Sequence, residues 1–128
     1  MIFLLDTHAF LWWITDSPEL SPRASDLIAN PDNELYLSAA SGWEIAIKVQ
    51  IGKLHMADRP DLFIPDQLSR NAVRSLPIQM SHVLHVGRLP PIHRDPFDRI
   101  IIAQSIIEKM PIITKDPDIR KYKVKTFW

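Results

Sequence analysis

The chain has 128 residues, 46% of them hydrophobic and 23% charged, which fits a single globular domain over residues 1–128 with one core. It has no cysteine, which excludes disulfides, thiolate zinc sites and cysteine nucleophiles and agrees with a reducing, cytoplasmic setting. Its 15 basic and 15 acidic residues balance, so composition alone does not call for a nucleic-acid partner, and no apolar run is long enough to cross a bilayer.

Ile2-Phe3-Leu4-Leu5 is a short apolar run closed by Asp6. With no basic segment before it, it reads as a buried first strand and not as a signal peptide. Residues 8–15 carry Phe10, Leu11, Trp12, Trp13 and Ile14 and read as a helix buried on much of its surface. Ser21-Pro22 opens the next helix, serine as N-cap and proline at N1. Asn30 to Asn33 is a turn, and Glu34 to Ser38 alternates as a strand does. Residues 42–51 form a helix with apolar faces made by Trp43, Ile45, Ala46, Ile47 and Val49; residues 61–71 form another, its first turn disturbed by Pro65. Ser75 to Ile78 is a short strand despite Pro77, Ser81 to Gly87 a short helix, and Leu89 to Arg94 a loop. Pro96 to Lys109 is the clearest helix, with Ile100, Ile101, Ala103, Ile106 and Ile107 on a broad apolar face. Ile112 to Thr114 and Val124 to Phe127 close the chain as strands. Strands alternating with helices imply a three-layer α/β/α sandwich on a mostly parallel sheet.

Four acids fall where such a sheet gathers its ligands, at the carboxyl ends of strands and the starts of helices: Asp6, Glu44, Asp98 and Asp116. Each has a structural explanation. Asp6 could cap the first helix, Ser41-Gly42-Trp43-Glu44 matches a capping box, Asp98 lies three residues after the N-cap candidate Asp95, and Asp116 and Asp118 flank Pro117 in a turn. Capping does not explain why acids also end the first and a late apolar strand. Carboxylates gathered there repel one another unless a cation neutralises them, and hard oxygen ligands suit Mg²⁺ or Mn²⁺. Setting the four aside leaves 15 basic against 11 acidic residues. Thr7 and Thr114 place hydroxyls beside Asp6 and Asp116, able to hold the acids or a phosphate. Arg94, Arg99 and Lys115 could steady phosphates or simply be solvated or paired with Asp95 or Asp116. The basic stretch Lys115, Arg120, Lys121, Lys123 and Lys125 is equally an edge strand blunted by lysines or a phosphate-contacting patch.

The segments Leu5-Asp6-Thr7-His8, Ser41 to Lys48, His93-Arg94-Asp95-Pro96-Phe97-Asp98-Arg99, Ala103-Gln104 and Ile113-Thr114-Lys115-Asp116 follow one another in an order that spans the chain. In these the sequence resembles PIN-domain endoribonucleases, and among them VapC-type toxins of toxin–antitoxin pairs. His-x-Asp-Pro-Phe-Asp-Arg is the most specific part. The resemblance implies catalytic metal ligation by Asp6, Glu44, Asp98 and Asp116, with one or two Mg²⁺ or Mn²⁺ ions. It also implies RNA as substrate, a homodimer, and inhibition by a cognate antitoxin protein.

The remaining aromatic and histidine residues have milder readings. Trp12 and Trp13 cannot both face one core, so one is expected at a dimer or antitoxin contact, and Trp43 and Phe97 are expected in core packing or a subunit interface. His82 and His85 share a helix face but lack an obvious third metal ligand; His8 and His93 could touch substrate or hydrogen-bond a loop carbonyl. A receiver domain would need a phosphoacceptor at a middle strand's end, and a haloacid-dehalogenase-type phosphatase would need a second aspartate where His8 stands. A flap-type nuclease would need more carboxylates and a helical arch. The different-class alternative is a non-catalytic PIN-like module that binds RNA or protein; loss of any of the four acids would favour it, and all four are present.

Overall fold

A computed structural model describes all 128 residues. Five strands, β1 (Ile2–Leu5), β2 (Glu34–Ser38), β3 (Val73–Leu76), β4 (Ile112–Ile113) and β5 (Thr126–Phe127), form one sheet in the order β3-β2-β1-β4-β5. Every pairing is parallel, with Leu4 and Leu5 opposite Tyr36 and Leu37 on one side and opposite Ile112 and Ile113 on the other. Six helices cover the sheet: α1 (Thr7–Ile14), α2 (Pro22–Ala29), α3 (Ala39–Gln50), α4 (Pro60–Arg70), α5 (Met80–Val86) and α6 (Pro96–Glu108). The three-layer sandwich expected from the alternation of elements is the fold observed. No helix is long and apolar enough to cross a membrane.

The period of two along β1 divides the core. Phe3 and Leu5 face α1, α2 and α4, where they meet Phe10, Ile28 and Ile64; Leu4 faces α6, where it joins Ile101 and Ile102. Ile113 and Ile112 repeat that division on β4. A strand buried on both faces must be apolar throughout, which is why β1 reads as an unbroken run. Its polar successor, Asp6, is thereby fixed at the carboxyl edge of the central strand. Gln104, fully buried on α6, donates through Nε2 to the Pro77 carbonyl at 3.1 Å and ties that helix to the end of β3.

The element boundaries shift from the sequence reading in three informative places. Helix α3 begins at Ala39, because Ser38 closes β2 and caps the helix by accepting from the Ala40 amide at 3.0 Å. Ser41 is therefore inside the helix, and the capping box expected for Ser41 and Glu44 does not form; both side chains turn to a different use below. Strand β3 runs Val73–Leu76 and stops before Pro77, which has no amide to donate. A 3-10 turn, Ile119–Lys121, precedes β5 and buries Ile119 completely, an element the sequence pattern did not announce. Trp12 and Trp13 do part company: Trp13 packs against the α1-side core and donates to Asn71 at 2.9 Å, while Trp12 lies edge-on to Trp128 and under Lys115.

Truncating Leu5 to Ala opens a cavity at a fully buried position of the central strand. We expect urea unfolding to show a loss of about 2–5 kcal/mol. Leu62→Ala, at a side chain 53% exposed, is expected to change stability by less than about 0.5 kcal/mol.

Candidate metal centre

The site is assembled at the carboxyl edge of β1 and β4, where α1, α3 and α6 come close to the sheet. Asp6 follows β1 directly and is the N-cap of α1: Oδ1 accepts from the Ala9 amide at 2.6 Å, and Oδ2 accepts from the Thr114 hydroxyl that follows β4. The side chain is 5% exposed. Burial pushes its carboxyl up from the ordinary range, opposed by these two hydrogen bonds and reinforced by the charge of Asp116.

Glu44 reaches the same region from the second turn of α3 and is almost fully buried. The Thr7 hydroxyl lies 2.8 Å from its Oε1 and 2.9 Å from the Ser41 hydroxyl. With one proton to give, Thr7 donates to the carboxylate and takes the serine's proton in turn. On the other oxygen Lys48, one turn further along α3, pairs at 2.8 Å. From the sequence Ser41 reads only as a helix cap and Lys48 is given no role, although the spacing of four between Glu44 and Lys48 is the usual signal for such a pair.

Asp98 enters from the first turn of α6. Asp95 caps that helix, accepting from the amides of Phe97 and Asp98 at 2.8 and 3.1 Å, as the sequence order Asp-Pro-Phe-Asp anticipates. Asp98 is raised to about 7, first by burial, then by the charge of Asp95, with Glu44 and Asp6 adding to the shift and His93 opposing it. Asp116 follows Thr114, whose hydroxyl accepts from its amide at 3.0 Å, while its Oδ1 accepts from the Asp118 amide at 2.8 Å.

The four predicted acids thus sit within one electrostatic neighbourhood, each entering from a different element. A shallow cleft of about 390 Å³ opens beside two of them, Asp6 and Asp116, and is completed by His8, Trp12, Lys115, Pro117 and Asp118. The other residues considered for the site are placed differently. Lys115 pairs with Glu19 at 2.7 Å and lies over the Trp12 ring. Arg99 turns from the cleft to the loop before α6, donating to the carbonyls of Pro90, His93 and Val86 at 3.1, 3.3 and 3.0 Å. Trp43 is 57% exposed beside Glu44 and meets Phe97 edge-on at 5.0 Å, so of the two expected placements, core or subunit interface, it does not take the core. His82 is buried against Glu108 at 3.0 Å, and neither it nor His85 belongs to a group of metal-type ligands.

His93 is the residue that sequence reasoning undervalued. Its Nε2 lies 3.0 Å from Asp98 Oδ2 and 3.2 Å from Asp116 Oδ2, between two acids 23 and 5 positions away in the chain. Ligand atoms of His93, Asp98 and Asp116 all fall within 4.8 Å of one another, a group that could hold a metal ion. The donor chemistry fits a hard divalent cation: several carboxylates, little solvent, and two carboxyls whose charge the protein itself disfavours.

Three comparisons bear on this geometry. A family model described as PIN domain matches residues 3–125. Ribonuclease VapC22 of Mycobacterium tuberculosis (strain ATCC 25618 / H37Rv) is 33% identical over 121 residues, covering 94% of this chain and 91% of the relative. Among solved structures, VapBC2 from Rickettsia felis, bound to a DNA fragment from its promoter, contains a chain that superimposes with a TM-score of 0.73 at 16% identity, covering 99% and 98% of the two chains. FitAcB from Neisseria gonorrhoeae superimposes with a TM-score of 0.67 at 18% identity, covering 100% and 97%.

The raised Asp98 carboxyl sets the sign of a stability measurement. Between its ordinary value of 3.8 and about 7 the folded chain holds a proton that the unfolded chain releases. Its contribution is therefore full below the ordinary value and is lost as pH rises through about 7. In EDTA, Asp98→Asn is expected to be the more stable protein at about pH 8, on the order of 1–3 kcal/mol, with the difference closing as pH falls toward about 4. Thermal unfolding of both proteins across this range checks it.

Proposed function

We propose, from the premise that this chain belongs to the PIN-domain family and to its VapC-like toxin–antitoxin branch, that it is a metal-dependent endoribonuclease and the toxin of a type II toxin–antitoxin pair. The observation that carries the reading is the gathering of carboxyls at the end of the central strand: burial raises both Asp6 and Asp98, the charge of Asp116 adds to the first shift and that of Glu44 to the second, and Asp6 and Asp116 line one cleft. One or two Mg²⁺ or Mn²⁺ ions would be held by these four carboxylates. Bound there, the cation would supply a water of lowered pKa and charge stabilisation for the phosphate.

The chain's own contribution is preorganisation. Asp6 is held at both oxygens by Ala9 and Thr114, and Glu44 by Thr7 and Lys48, so neither carboxylate has to be ordered when substrate arrives. Trp12, with His8 and Lys115 around it, walls the cleft that Asp6 and Asp116 line, and an indole face accepts any base. Exposed Arg94, next to His93 in the chain, is a cation available to an RNA phosphate. Thr7, Thr114 and Arg99 act on the acids and the loop, and Lys115 is available to phosphate only if it leaves Glu19.

Two further partners belong to the proposal. The solved structures similar to this chain include toxin–antitoxin complexes, which supports a cognate antitoxin protein as its inhibitor. A homodimer is supported by the apolar side chains that α5 leaves exposed, Met80 at 71% and Leu84 at 68%. The proposed place of action is the cytoplasm, where RNA and a reducing environment coincide.

Purified protein should cleave RNA with Mn²⁺ or Mg²⁺ and stop in EDTA. Asp6→Asn and Asp98→Asn should each lower the rate by about 100-fold or more. If wild type and both variants act alike on RNA while still binding it, the non-catalytic binding module is the better account.

A further inference from the structure

His93 has one free choice of proton, and the fold has made it. Its Nδ1 accepts from the Asp95 amide at 3.2 Å. A neutral imidazole carries one N–H, so with Nδ1 accepting, the proton lies on Nε2. Nε2 is the atom 3.0 Å from Asp98 and 3.2 Å from Asp116, and it therefore donates to both carboxylates and offers no lone pair to a cation. The Asp98 carboxylate has no other hydrogen-bond partner in the protein, and Asp116 keeps its Oδ1 for the Asp118 amide. Without the ring, nothing in the protein links these two mutually repelling groups.

The ring is held in place by its own loop. The His93 amide donates to the Tyr122 hydroxyl at 2.8 Å, and Arg99 donates to the His93 carbonyl at 3.3 Å and to the same hydroxyl at 3.1 Å. Tyr122 in turn donates to the Pro90 carbonyl at 2.8 Å. A surface histidine needs no such strap.

We propose that His93 is a positioning residue: its Nε2–H bridges Asp98 and Asp116, sets the spacing of the two carboxylates, and acts on a bound ion through them and not as its ligand. The inference rests on the reading of these acids as a metal site. It opposes the simplest view of the same cluster, a histidine–carboxylate triad with nitrogen on the metal.

The test is Mn²⁺ titration of wild type, His93→Gln and His93→Ala, followed by electron paramagnetic resonance, with pulsed measurement of directly bound ¹⁴N. Thermal unfolding in EDTA controls for folding. A glutamine amide can place an N–H where Nε2–H stands. Expected are no directly bound nitrogen in wild type, a glutamine variant within about 3-fold of wild-type affinity, and an alanine variant weaker by about 10-fold or more. Directly bound nitrogen that His93→Gln removes, or alanine affinity equal to wild type, overturns the inference and leaves the metal-site reading intact. Failure of wild type to bind Mn²⁺ overturns both. The nitrogen measurement uses wild type and glutamine, so it decides the matter even if the alanine variant does not fold.

Discussion

A carboxylate buried at the end of the central strand is the constraint on which the rest of this structure depends. Asp6 is 5% exposed, and an isolated carboxylate there would be strongly destabilising. The fold compensates locally. The start of α1 supplies an amide to one oxygen, and the residue that follows β4 supplies a hydroxyl to the other. The amide comes with the local cap of α1, whereas the hydroxyl is there only because β1 and β4 are neighbours in a parallel sheet, which brings their carboxyl ends together. The cost of burial is thereby reduced and not abolished, as the raised carboxyl shows.

The same logic extends outward by layers of support. Glu44 is held by Thr7 from α1 and by Lys48 from its own helix, so α1 and α3 are joined through the acid that each helps to fix. Asp98 is placed by the Asp95 cap, and its remaining charge faces His93. Arg99, one turn beyond Asp95, spends its guanidinium donors on protein groups. It fastens the loop that carries His93, with Tyr122 as its counterpart. A cationic residue beside an acidic cluster thus serves the backbone, while the imidazole of His93 meets the acids. Charge alone would have assigned these roles the other way round.

Local sequence determined a good deal. The apolar run at residues 2–5 is a strand buried on both faces, and its lack of alternation is the consequence. Asp95-Pro96 set the start of α6 because the aspartate can cap and the proline has no amide to leave unsatisfied. Parallel strands alternating with helices can pack in few ways, so the sandwich and the carboxyl-edge position of Asp6 and Asp116 were legible from the pattern. Ser38 and Ser41 show where this stops. Either serine could cap a helix, and the choice fell to Ser38 because β2 must end there to stay in register with Leu76 of β3.

What only the tertiary structure decided is the pairing of groups remote in sequence. Thr114 meets Asp6 across 108 positions, Thr7 meets Glu44 across 37, and His93 meets Asp116 across 23. No propensity or periodicity carries such information, because a hydrogen bond depends on where two elements lie relative to each other and not on either element's own chemistry. The sequence by itself determined which side chains could bear charge at the carboxyl edge of the sheet. The tertiary structure decided which of those charges are desolvated and which atom of His93 faces them, because burial and donor direction are properties of the packed chain alone.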